Sequence, residues 1–85
     1  MKIRITQKDI DAGVENSMEE CPIALAIRRE LNCRVAAVAA KVDIYYYSEL
    51  TRRRQFSLSE EALDFLNKFD EGKHVTPLKI EITEE

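Results

Sequence analysis

Apolar and polar residues alternate at the start of the chain, where Ile3 and Ile5 stand between Lys2, Arg4 and Thr6. This is the period of a half-buried strand. Lys8-Asp9-Ile10-Asp11-Ala12-Gly13 reads as a single helical turn stopped by glycine, and residues 14–20 as polar connection. Ser17 and Glu20 have capping-box spacing, but Pro22 fits the first turn of a helix better than its fifth position. The main helix is therefore placed from Cys21-Pro22 to Leu31-Asn32. Ile23, Ala24, Ile27 and Leu31 share one face, and Arg28, Arg29 and Glu30 face water.

Residues 34–47 are rich in Val, Ile, Ala and Tyr and would make an unusually long strand. A break near Ala40-Lys41 gives two strands, and a bulge in one bent strand is the alternative. Ser48-Glu49-Leu50-Thr51 is a better hairpin turn, leading to a strand through Arg53, Gln55 and Ser57 with Phe56 and Leu58 inward. Ser59 caps a second helix, Glu60 and Glu61 suit its positive end, and Leu58 is placed to staple onto Leu63. Its buried stripe is Ala62, Phe65, Leu66 and Phe69, and Gly72 ends it. Beyond Pro77, Leu78, Ile80 and Ile82 alternate with Lys79, Glu81 and Thr83 as a last strand.

The order β-α-β-β-(β)-α-β predicts one α+β domain over residues 1–85. It implies a single antiparallel or mixed sheet of four to five strands with two helices on one face, tending to a ferredoxin-like arrangement. A chain this short buries only about 60–65% of the surface its unfolded form exposes, so a partner or a homodimer would help it. Apolar residues make up 45% and charged residues 34%, a globular rather than a disordered balance. No stretch approaches a membrane span and the start lacks a signal-peptide core, so the expectation is a cytoplasmic protein. The net charge of −3 opposes bulk attraction to phosphate backbones or anionic membranes.

No catalytic constellation is recognisable, no cofactor is implied, and the expectation is a protein that is not an enzyme. With His74 as the one histidine and two cysteines at opposite helix ends, no metal site is expected. Twelve residues of helix at about 1.5 Å each would hold Cys21 and Cys33 about 18 Å apart. A disulfide needs Cα atoms within about 7 Å, so both read as free thiols. Cys21 at a helix start is the best enzymatic suspect, alone or paired with His74, against a plainer reading as a small apolar residue closing the helix. The acidic residues Asp9, Asp11, Glu15, Glu19 and Glu20 lack calcium-loop spacing, and Glu60, Glu61 and Asp64 read as a solvated helix face.

Two features point to binding. Arg52-Arg53-Arg54 can hold phosphates or a carboxylate-rich surface, or can simply guard a strand edge. In Tyr45-Tyr46-Tyr47, alternation sends Tyr46 toward the core and Tyr45 and Tyr47 to the face the helices leave open. Aromatic rings beside arginine anchor protein interfaces, can stack on bases, or can stiffen the sheet by cross-strand pairing.

The segments KIRITQKDIDAG, CPIALAIRR and FSLSEEALDFLNKFDEGKHVTPLKIEI together resemble a group of small proteins from phages and prophage regions. The likeness spans Ile3 to Ile82. It is most specific at Cys21-Pro22-Ile23-Ala24-Leu25-Ala26-Ile27 and at Phe69-Asp70-Glu71-Gly72-Lys73 through Pro77. The central strands depart from the group, where a turn marked by glycine or proline is expected. The resemblance implies no reaction and no site residues. It implies a steric inhibitor of a host or defence protein, of the anti-CRISPR type, with Tyr45, Tyr47, Arg52, Arg53 and Arg54 as its anchors. The competing expectation is a single-strand nucleic-acid binder using the open sheet face, which the acidic balance opposes.

Overall fold

The computed structural model describes residues 1–49 and 52–85. In chain order these form β1 (Lys2–Ile5), α1 (Gln7–Ala12), α2 (Pro22–Leu31), β2 (Val35–Val38), β3 (Lys41–Tyr45), a 3₁₀ turn (Tyr47–Glu49), β4 (Arg54–Leu58), α3 (Glu60–Asp70) and β5 (Leu78–Glu84). The strands make one antiparallel sheet in the order β1-β5-β4-β3-β2. The expected class, one sheet with helices on one side, is formed. Its strand order is not ferredoxin-like, because β1 stands at an edge rather than inside, and the expected helical turn before Gly13 is formed as the short third helix α1.

Period-two burial runs through all five strands. Ile3, Ile5, Ile80, Ile82, Phe56, Leu58, Val42, Ile44, Ala36 and Val38 are buried, each removal from water being worth about 1.5–3 kcal/mol for the larger side chains. The intervening Lys2, Arg4, Lys79, Glu81, Ser57, Gln55, Lys41, Asp43 and Tyr45 are exposed or half-buried. The helices therefore cover one face and leave the other open. α2 packs against β1 and β2, the two outermost strands, so the sheet curls around it, while α3 lies over β4 and β5.

Local chemistry fixes the helix ends. Cys21 is the N-cap of α2, its Sγ accepting from the Ala24 N–H at 3.5 Å, and Pro22 opens the helix. Asn32 ends α2 with φ 48°. Ser59 Oγ accepts from the Ala62 N–H at 3.3 Å at the start of α3. At its end Gly72 has φ +76°, the Lys73 N–H donates to the Lys68 carbonyl at 2.9 Å and the Gly72 N–H to the Phe69 carbonyl at 3.0 Å, the paired bonds of a Schellman motif. Gly13 is different. Its φ of −69° is open to any residue, but a Cβ there would lie 2.7 Å from the Pro22 ring and 3.1 Å from Phe69. Glycine is needed because two buried side chains leave no room.

Between β2 and β3 the chain turns rather than bulges, since Val38 pairs with Val42 and the Ala39 N–H donates to the Lys41 carbonyl at 2.9 Å. The second hairpin connection begins with the 3₁₀ turn, and Leu50 and Thr51 of the expected Ser48–Thr51 turn lie outside the described residues.

Candidate binding surface

The antiparallel register Ile44↔Arg54 brings the C-terminal end of β3 beside the start of β4, so the tyrosine and arginine triplets meet at one corner of the sheet. Alternation then divides both triplets. Tyr46 packs against the core, as expected from its parity with Ile44, while Tyr45 is half-buried on the open face. Tyr47 is 62% exposed, but it belongs to the 3₁₀ turn rather than to the strand.

The three arginines do not act as a unit. Arg54 shares the inward parity of Phe56 and Leu58. Its guanidinium lies 5.3 Å from the Tyr46 ring centre and 6.0 Å from that of Phe56, within cation–π range. It donates to Glu84 twice, Nε to Oε2 at 2.7 Å and Nη2 to Oε1 at 2.6 Å. That bidentate bond holds the Glu84 carboxyl below its ordinary pKa. Arg54 is thus a lid on the open end of the core at this corner. Arg52 and Arg53 are exposed. Arg53 Nε lies 3.9 Å from Asp43 Oδ1, which also accepts from Gln55 Nε2 at 3.0 Å, so the open face beside Tyr45 carries a mixed polar row.

The sequence-based suspects elsewhere are placed apart. Cys21 is fully buried, and burial pushes its thiol pKa up, whereas a nucleophile needs it lowered. His74 is exposed on the connection between α3 and β5. Cys33 is buried with its pKa raised by burial, and both cysteines are free thiols. Among the described residues no group of three or more His, Cys, Asp or Glu is placed to hold a metal ion, and no helix is long and apolar enough to cross a membrane.

One ionic cluster was not anticipated. Asp9 is 7% exposed and forms a capping box with Thr6: the Thr6 N–H donates to Asp9 Oδ2 at 2.9 Å, and the Asp9 N–H donates to Thr6 Oγ1 at 3.2 Å. Arg29, expected to face water, donates to Asp9 Oδ2 at 2.6 Å and to the Arg4 carbonyl at 2.9 Å. Burial raises the Asp9 pKa, but the bonds from Arg29 and Thr6 outweigh it and the net shift is downward. Arg29 thereby ties α2 to α1 and β1. The Thr6-x-x-Asp9 spacing was a signal available in the sequence. No protein-family model matches the chain, and neither a curated protein nor a solved structure is significantly similar to it.

Proposed function

We propose that this chain is a protein-binding module whose anchors are Tyr45, Tyr47, Arg52 and Arg53, set at the open corner where β3 meets β4. The observation that carries the reading is the 62% exposure of Tyr47 at the end of an uncovered sheet face that also bears Tyr45. A large aromatic ring held in water beside arginines gains most when a partner desolvates it, and such residues dominate interface energetics. Tyr45 is half-buried, so part of its ring is already desolvated before binding. The buried, neutral thiol of Cys21 supports a binding role over a nucleophilic one. The resemblance read from the segments at Cys21–Ile27 and Phe69–Pro77 favours a host or defence protein as the partner, blocked sterically in the manner of anti-CRISPR proteins.

The test compares tagged wild-type protein with the Tyr45→Ala/Tyr47→Ala double variant in capture from bacterial lysate. A partner held by the wild type should be lost or weakened by about tenfold or more in the variant, while circular dichroism and melting stay nearly unchanged. A partner captured equally by both proteins removes the tyrosines from the interface. Salt-dependent binding of labelled single-stranded oligonucleotides would instead establish the nucleic-acid reading.

A further inference from the structure

Strand β5 has a neighbour on only one side along its first half. Residues Leu78 to Glu81 pair with β1, but pairing with β4 begins only at Ile82, opposite Leu58. There the chain leaves the sheet and becomes α3 at Glu60. The direction of the backbone groups follows from the ladder. The Ile82 N–H donates to the Met1 carbonyl at 2.8 Å, and the Met1 amino group donates to the Ile82 carbonyl at 2.9 Å. Antiparallel ladders alternate with period two, so Ile80 and Leu78 also point toward β1 and Glu81 and Lys79 point away. Glu81 obeys this, its carbonyl accepting from the Ser59 N–H at 3.2 Å. The N–H and C=O of Lys79 therefore face the space between β5 and α3. Pro77, without an N–H, ends the row.

That space is a groove. One cleft of about 370 Å³ is bordered by Ser59, Glu60, Lys79, Ile80 and Glu81. Another of about 240 Å³ has Phe65, Val75 and Leu78 as its apolar lining, with Asp64, Lys68 and His74 as further lining residues. Glu61 of α3 lines both, so they adjoin along the helix. On the open face above the groove Lys79 lies directly opposite Arg4. Among the described residues neither side chain has an ion-pair partner. Like charges in that position repel across the strands, and a carboxylate brought beside them would relieve the repulsion.

We infer that the groove between β5 and α3 receives an extended polypeptide segment, added as a strand to the Lys79 edge, in which apolar side chains alternate with carboxylates. The pleat dictates this chemistry. Residues of an added strand that share the side of Leu78 and Ile80 enter the apolar cleft, and those between them rise beside Lys79, with Arg4 one strand beyond it. Main-chain bonds supply affinity in such strand addition, and the side-chain pockets supply specificity. The groove is separate from the tyrosine corner and does not depend on it.

The probe is a blocked hexapeptide of alternating valine and glutamate, titrated into isotope-labelled protein and followed by backbone amide shifts. Shifts should concentrate on residues 76–81 and on α3. Two further peptides are N-methylated on alternate amides, one set in each register, and one of them must block pairing with Lys79. That peptide should bind about tenfold more weakly or worse, as should the parent peptide to Lys79→Glu. Protection of the Ile80 and Ile82 amides shows that the variant keeps its fold. Equal binding of both methylated peptides, undiminished binding to Lys79→Glu, shifts centred on Tyr45 and Tyr47, or no shift at millimolar peptide would each overturn the inference.

Discussion

Arg4 and Lys79 are direct neighbours across β1 and β5, yet the backbone edges they belong to are treated in opposite ways. On the β1 side the Arg4 N–H donates to Glu30 Oε2 at 3.2 Å and the Arg4 carbonyl accepts from Arg29 Nη2 at 2.9 Å. Two side chains of α2 thus take the place of a missing strand. On the other side, the backbone of Lys79 meets a groove. The difference teaches what sealing an edge requires. A side chain can replace a strand only if the helix carrying it is fixed, and α2 is fixed at both ends. Its first turn is wedged between Gly13 and the core, and its last turn is tied to Asp9 through Arg29. Sealing β1 removes an edge that would otherwise recruit other chains.

The strongest way to break the comparison is to displace α2. Gly13→Ala puts a methyl group 2.7 Å from the buried, rigid Pro22 ring, and overpacking of this kind costs about 1–3 kcal/mol. Urea denaturation should show that loss, and hydrogen exchange should show the Arg4 amide opening faster than in the wild type. A stabilised variant, as glycine-to-alanine changes give where space exists, would mean that the corner is loose and the seal does not rest on it.

Removing the tie at the other end should cost less. Asp9→Asn keeps most of the cap but loses the charge facing Arg29, and Arg29 remains partly solvated, so the expected loss near neutral pH is about 1–2 kcal/mol. The pH dependence carries the sign. Because the folded-state pKa of Asp9 lies below the ordinary value of 3.8, its stabilisation is complete above that value and disappears as pH falls through the folded pKa. The gap between wild type and Asp9→Asn should therefore close in acid. A gap independent of pH would show that the ion pair contributes nothing beyond the cap.

Elements were readable where one physical rule decided them. α3 follows from Ser59, its apolar stripe and Gly72, and α2 from Cys21-Pro22 and Asn32, because capping and periodicity act within a few residues. The same period-two rule separated Tyr46 from Tyr45. Applied to Arg54, it would have put that side chain with Phe56 and Leu58, but three adjacent arginines invite reading as one patch. The strand order was not readable. Alternation fixes which face a residue occupies and says nothing about which strand lies beside it, so the edge position of β1 and the half-open edge of β5 appear only in three dimensions. Arg29 is exposed, as its helical spacing predicts, but that spacing says nothing of the buried Asp9 it also reaches. Gly13 does end α1, as its position predicts, but the neighbours that exclude a side chain there come from α2 and α3 and were not legible.

The smallest expected effect sharpens the contrast most. Lys79→Glu replaces a repulsive cross-strand pair with an attractive one against Arg4, so the fold should gain about 0.2–1 kcal/mol, seen as a slightly raised Tm. The same change should abolish attraction for a segment carrying carboxylates. Stability and binding then move in opposite directions on one substitution, as expected where a surface is kept unsatisfied for a partner. A variant that melts lower would show that Lys79 already serves the isolated fold, and the open edge would lose its claim to be held ready for another chain.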